Sequence, residues 1–418
     1  MWPCSARRGS LCDMLRQMRS PLCSFLVFSA CTAGLWAESD ELTYLPTGPG
    51  PYWISAADLD GDGETDLFAS CRGELLSLDE ERPANDTATL YLSGRRSEVQ
   101  VGFGPYTSEV ADLDGDGLQD VVVANFHEPG GRDLTLLYGG AFDEPVHVAV
   151  EGEFEYDKSR EADGKPRYPA PGLTSVKAAD FNQDGRMDLV AVAWSSDFIV
   201  VFTNLGERRF RQERYPTLPG PRDIAVADVD RDGKDDLVVT IYSSNLVAVW
   251  LQKGAGRFAR SAYFSSQGAT PYHLRLGDLD GDGWTDLVVG NRSTSDNVAV
   301  FHNRKGLFEY SGSFSPGTVR AGESTADEIR DVLLADVNRD GVLDLLAAGH
   351  VSHKVVWWEG TGIVGFGAAF AHRRVLEMPG KGPRALADDG ERVMVALYDS
   401  DEIGLIPKLL LRGLPAED

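Results

Sequence analysis

The sequence predicts an all-β fold, a seven-bladed β-propeller of four-stranded antiparallel blades. Three observations predict it: an acidic nine-residue loop that occurs six times, an apolar β-branched segment directly after each copy, and a separation between copies of about one blade. The copies are DLDGDGETD (Asp58 to Asp66), DLDGDGLQD (Asp112 to Asp120), DFNQDGRMD (Asp180 to Asp188), DVDRDGKDD (Asp228 to Asp236), DLDGDGWTD (Asp278 to Asp286) and DVNRDGVLD (Asp336 to Asp344). Their first aspartates are separated by 54, 68, 48, 50 and 58 residues.

The shared pattern is D-x-[DN]-x-D-G-x-x-D. Position 1 is Asp58, Asp112, Asp180, Asp228, Asp278 and Asp336; position 3 is Asp60, Asp114, Asn182, Asp230, Asp280 and Asn338. Position 5 is Asp62, Asp116, Asp184, Asp232, Asp282 and Asp340; position 9 is Asp66, Asp120, Asp188, Asp236, Asp286 and Asp344. So many carboxylates in one turn repel one another unless a cation lies between them. Oxygen donors at 1, 3, 5 and 9 suit a hard cation, Ca²⁺, with about six structural sites expected. Position 7 holds Glu64, Leu118, Arg186, Lys234, Trp284 and Val342, which share no side-chain chemistry, so its backbone carbonyl is the expected ligand. The glycine at position 6 supplies the positive φ that folds the loop back. An EF-hand is excluded, because position 12 is Ala69, Val123, Ala191, Val239, Val289 or Ala347 and never glutamate.

Position 2 is always apolar, and runs such as DLVVTIY from Asp236 read as buried strands. Pro221–Phe264 and Pro271–Phe314 both parse as strand, acidic loop, strand, polar loop, strand, glycine turn, strand. A seventh unit begins near Gly382. Its loop has shrunk to Asp388-Asp389-Gly390, so six blades of seven are expected to hold a metal. Its outermost strand is missing from the C-terminal end, and Leu42 to Leu45 is predicted to supply it, closing the ring and covering an edge.

These units resemble FG-GAP or VCBS repeats, the calcium-loop blades of integrin α-subunit heads and of many secreted bacterial proteins. The resemblance covers roughly residues 42 to 412 and implies a calcium-binding propeller. It does not carry over integrin-type adhesion, because the seventh loop and any partner domain are missing.

Residues 1–37 read as a secretory signal peptide: Arg7, Arg8, Arg16 and Arg19, then PLCSFLVFSACTAGLWA, then acidic ESDE. Cleavage after Ala37 leaves 38–418 as the propeller; a lipidated Cys31 is the alternative, since Phe28-Ser29-Ala30-Cys31 approximates a lipobox. The expected location is extracytoplasmic, at the cell surface, in the periplasm or secreted. Four of five cysteines lie in the leader, so Cys71 has no intrachain partner and is expected to be a buried thiol. A net charge of -25 argues against nucleic acid or an anionic membrane as partner. The sequons at Asn85 and Asn291 are near what chance supplies. Helical periodicity is absent beyond the leader.

No HExxH, GxSxG or P-loop motif occurs, and no zinc-type Cys/His spacing. His350 and His353 read as loop histidines. The ligand face is therefore placed opposite the acidic loops. Six residues before each first loop aspartate stand Tyr52, Tyr106, Thr174, Arg222, Tyr272 and Arg330, with Arg384 equivalent in blade seven. These are expected to ring the channel mouth, beside Trp53, His273, Trp194, Tyr242, Asn245, His350 and Tyr398 and the insertions Arg160 to Pro171 and Ser315 to Asp327. Arginine and tyrosine together suit a glycan, acidic in particular, or an acidic protein segment. The expected function is a binding or scaffold module. A lyase-like polysaccharide enzyme and a purely structural surface protein are the alternatives, and fold alone does not choose between them.

Overall fold

The computed structural model describes residues 41–73, 85–126, 128, 130–152, 154, 170–293, 298–317, 327–363 and 369–417. The leader, most of the insertion after Gly152 and residues 318–326 lie outside them. Seven four-stranded antiparallel sheets form a seven-bladed propeller. Blade one holds β2 (Pro51–Ala57), β3 (Asp66–Cys71), β4 (Thr87–Leu92) and β5 (Arg95–Gln100). Blade two holds β6 (Pro105–Ala111), β7 (Asp120–Asn125), β8 (Leu134–Leu137) and β9 (Val146–Val148). Blades three to five continue as β10 (Leu173–Ala179) to β13 (Phe210–Pro216), β14 (Pro221–Ala227) to β17 (Phe258–Ser265) and β18 (Pro271–Gly277) to β21 (Phe308–Phe314). Blade six runs from β22 (Ile329–Ala335) to β25 (Phe370–Glu377).

Blade seven has three strands from the C-terminal end, β26 (Pro383–Asp388), β27 (Arg392–Leu397) and β28 (Glu402–Pro407), and its fourth is β1 (Thr43–Pro46). Thr43 lies opposite Leu405 and Pro46 opposite Glu402, so the ring closes through the N-terminal segment. One element departs from the sequence reading: Lys408–Gly413 forms a short helix, α1. Six residues are too few for a helical period to register.

The layering follows burial along each blade. Second strands such as DLVVTI and DLVAVA are buried at every residue, because both faces pack between neighbouring blades. Outer strands such as FRQERYP expose most of one face and carry the charge. Position 2 of every acidic loop plugs the core: Leu59, Leu113, Phe181, Val229, Leu279 and Val337 are all at most 4% exposed. Latches tie blade to blade at this point. Asn204 Nδ2 donates to the Leu113 carbonyl at 2.8 Å, Gln252 Nε2 to Phe181 at 2.9 Å and Asn303 Nδ2 to Val229 at 2.8 Å. Cys71 is buried, and burial raises its thiol pKa above the usual range, so it is not poised to react.

Candidate functional site

The six acidic loops share one construction. Position 1 gathers the backbone: Gly61 N donates to Asp58 Oδ1 at 2.7 Å and Gly63 N to Asp58 Oδ2 at 2.9 Å, and Gly117, Gly185, Gly233, Gly283 and Gly341 repeat the second bond. That bond needs the left-handed backbone that glycine adopts freely; φ is 88° at Gly63 and 91° at Gly117. The position 9 aspartates are wholly buried. Asp66 Oδ2 accepts from Leu59 N at 2.9 Å and its Oδ1 from Ser93 N at 2.8 Å, stitching loop to third strand. Burial pushes Asp120, Asp188 and Asp236 up to about 6, against the hydrogen bonds each accepts and with help from neighbouring aspartates.

The donor set fits a hard dication. In four loops, three carboxylate oxygens lie within 4.8 Å of one another: Asp58, Asp60 and Asp62; Asp112, Asp114 and Asp120; Asp228, Asp230 and Asp232; Asp278, Asp280 and Asp282. Oxygens held about 2.3–2.6 Å from one ion would be separated by such distances. These are the four loops with aspartate at position 3. In the other two, position 3 is Asn182 or Asn338, whose oxygen accepts from the amide of Asp184 or Asp340. Loop five also packs against a buried histidine, with His302 Nδ1 3.3 Å from Asp286.

Blade seven replaces the loop. Lys408, 3% exposed, donates to Asp388 Oδ2 at 3.0 Å and to the Asp336 carbonyl of blade six at 3.1 Å. Its ammonium does for this blade what a latch amide does for others, and neutralises the remnant aspartate.

At the opposite end of the inner strands the expected ring forms on the axis. Tyr52, Tyr106 and Tyr272 bring their hydroxyls together: Tyr52 bonds Tyr106, and lies 2.6 Å from Tyr272, which is 3.1 Å from Tyr106. Arg222 donates to the Tyr52 hydroxyl at 3.1 Å and Arg384 to that of Tyr272 at 3.3 Å. Guanidinium groups lie against the rings, Arg384 3.8 Å from Tyr52, Arg222 4.0 Å from Tyr272 and Arg330 5.2 Å from Tyr272. Thr174 donates to the Arg222 carbonyl at 2.6 Å. These residues are buried: Arg222 and Arg330 are 7% exposed, Arg384 3%, Tyr52 1%. Seven strands converge on one axis, so the ring forms the floor of the mouth and leaves its surface to others. Burial opposes ionisation of Tyr272, but Arg222, Arg384 and Arg330 and the bond to Tyr52 outweigh it and hold the phenol well below its ordinary range.

The half-buried residues around this floor stand fourteen after each first loop aspartate: Phe126, Trp194, Tyr242, Arg292 and His350, with Tyr398 equivalent in blade seven. In blade one the position is Arg72, buried, 5.2 Å from the Tyr52 ring and 5.4 Å from Phe126. Phe126 lies 5.8 Å from Trp194, and Tyr242 6.4 Å from Tyr272. Arg292 donates to the Tyr242 hydroxyl at 3.3 Å and to Glu328 at 2.9 Å. Arg72, Phe126, Arg292 and Glu328 escaped the sequence reading, although the constant offset of fourteen could have found the first three.

Other expected residues lie elsewhere. Trp53 and His273 sit one residue deeper, both buried, with rings 5.2 Å apart. Asn245 caps a turn by accepting from Thr270 N at 2.7 Å. His350 and His353 are not free loop histidines: His353 accepts from Gly382 N at 3.1 Å, and burial beside Arg384 and Arg330 lowers His350 to about 4. Of the insertions, residues 160–169 and 318–326 lie outside the described residues.

A seven-bladed propeller with acidic loops on one rim and a closed axial ring on the other defines a repeat propeller. The FG-GAP-like repeat family matches at residues 180–239, 228–289 and 278–347, and the molecule is an FG-GAP repeat β-propeller protein. No curated protein matches the chain in sequence. Among solved structures it is similar to virginiamycin B lyase from Staphylococcus aureus, at 13% identity and TM-score 0.57 over 87% of this chain and 98% of that one. It is also similar to rhamnogalacturonan lyase YesW, at 15% and 0.52 over 88% and 72%. A third is the Pseudomonas aeruginosa periplasmic gluconolactonase, at 20% and 0.50 over 79% and 89%. At such identities the likeness is one of fold.

Proposed function

We propose that the protein is an extracytoplasmic, calcium-stabilised propeller that binds a glycan at the axial mouth opposite the acidic loops. The observation that carries this reading is the half-buried ring at one fixed position of the blades, largely aromatic, set around a basic floor. Aromatic faces stack on the apolar faces of sugar rings, and arginine edges bond their oxygens. Calcium in up to six loops holds the blades, and the described residues contain no helix long and apolar enough to cross a membrane.

A protein ligand is the second occupant such a mouth accommodates, and the lyase reading is weaker. A lyase needs a base that reaches a substrate proton. The best base at this mouth, Tyr272, has its hydroxyl enclosed by two other phenols.

A glycan array followed by titration tests the reading. Trp194→Ala with Tyr242→Ala should weaken the best glycan at least tenfold while the melt in calcium is kept. Full affinity in that double variant would place the site elsewhere.

A further inference from the structure

We infer that the floor of the axial mouth is an oxyanion site, in which Arg222, Arg330 and Arg384 receive one carboxylate or sulfate group of an acidic glycan. The choice of a glycan rests on the proposed function; the oxyanion site itself stands on the arginines.

Deeper in the same channel the basic side chains lie against carboxylates. Lys177 meets Glu109 at 2.6 Å, Arg275 meets Asp331 at 2.8 Å, and His273 Nδ1 lies 3.1 Å from Asp223. At the floor that rule stops. Among the described residues no carboxylate pairs with Arg222 or Arg384, and Glu328 alone is shared between Arg292 and Arg330. Tyr272 can supply one further negative charge at most. Arg222, Arg292, Arg330 and Arg384 therefore share two anionic groups, and three of them are at least 93% buried. Buried charge of one sign is unfavourable unless a counter-charge joins it.

Donor geometry points the same way. Stacking on tyrosine faces occupies the planes of the guanidinium groups and leaves their in-plane N–H edges for hydrogen bonds. The Nε atoms of Arg222, Arg330 and Arg384 are buried and have no hydrogen-bond partner among the described residues. Planar forks of this kind match the paired oxygens of a carboxylate or sulfate. His350 adds no charge of its own near neutrality, because burial and then the arginines keep it neutral.

The test titrates a glucuronate-containing oligosaccharide and its carboxyl-reduced form, and records the melting temperature in sodium sulfate against sodium chloride at equal ionic strength. The acid form should bind at least tenfold tighter than the reduced form, and sulfate should raise the melting temperature. Arg384→Gln, and separately Arg222→Gln, should erase both differences while the melt in calcium and chloride shows that the fold survives. Should either glutamine variant fail to fold, Arg384→Lys, which keeps the charge and loses the fork, should reduce the preference without abolishing it. Equal affinity for the two forms together with no sulfate effect overturns the oxyanion site and leaves the glycan reading standing. A sulfate effect lost in Arg384→Gln, with neither oligosaccharide bound, supports the oxyanion site and overturns the glycan reading.

Discussion

The two ends of the inner strands carry opposite unbalanced charge. At one end 22 aspartates occupy loop positions 1, 3, 5 and 9, relieved by a few side-chain cations such as Lys234 on Asp232 and Arg304 on Asp282. At the other end arginines crowd three tyrosines with one shared glutamate. Between them basic side chains and carboxylates lie in pairs. On the proposed reading, each end takes its missing counter-charge from outside. The ends differ in symmetry. The acidic charge is spread over six separate loops, whereas the basic charge is gathered at a single point.

The largest effect expected from breaking this contrast comes from removing the cation. Calcium at about a hundred times its dissociation constant stabilises by about 2.7 kcal/mol per site, an upper limit when summed over coupled sites. Excess EGTA should therefore lower the melting temperature sharply, by scanning calorimetry, in wild type and in the axial arginine variants alike. An unchanged melt would remove the metal from the account. Next comes blade seven, whose remnant loop is held by a buried lysine. Lys408→Met leaves Asp388 and the Asp336 carbonyl without their partner and should cost about 3 kcal/mol by urea denaturation, with or without calcium. Loss only in the presence of calcium would mean that blade seven also holds a metal.

A smaller effect should follow from restoring the carboxylate at position 3. Asn182→Asp and Asn338→Asp add one negative ligand to loops three and six, and calcium titration calorimetry should show those sites tightening several-fold. Six equivalent sites in wild type would contradict the ranking. The smallest signal is spectroscopic. Tyr272 has a folded pKa depressed below its unfolded value of about 10, so ionised Tyr272 favours the fold. That contribution is complete above pH 10 and is lost as pH falls through the folded pKa. Absorbance of tyrosinate should show one phenol ionising well below pH 10, absent in Tyr272→Phe; identical titrations would leave the arginines with Glu328 alone.

Much of this was legible because the residues that build a propeller repeat. The acidic loops, the apolar position 2 and the strands around them recur, and the missing outer strand at the C-terminal end foretold that an N-terminal segment would complete blade seven. The convergence of Tyr52, Tyr106, Arg222 and Tyr272 was legible for the same reason. Their burial was not, because cover at the axis comes from residues far apart in the chain, such as Arg72 over Tyr106 and Tyr398 beside Tyr52. The outer ring was only half seen. Arg, Phe, Trp, Tyr and His share no chemistry that marks a position, and only the offset of fourteen unites them. The contact of Lys408 with the remnant loop was hidden too, since the lysine lies 20 residues beyond the aspartate it meets.

The pairing of β1 with β28 has a bearing on the order of synthesis. Thr43–Pro46 is among the first parts of the propeller to be made and Glu402–Pro407 among the last, so blade seven cannot be completed until the last strand of the propeller has been made. Blades one to six can fold as they emerge, but the ring stays open, with the inner strands β2 and β26 unopposed, until the two ends of the chain meet. Closing so long a loop costs little more entropy than closing one of half the length, about 0.6 kcal/mol. This late clasp keeps the channel, and with it both charged ends, unassembled until the last strand has been made.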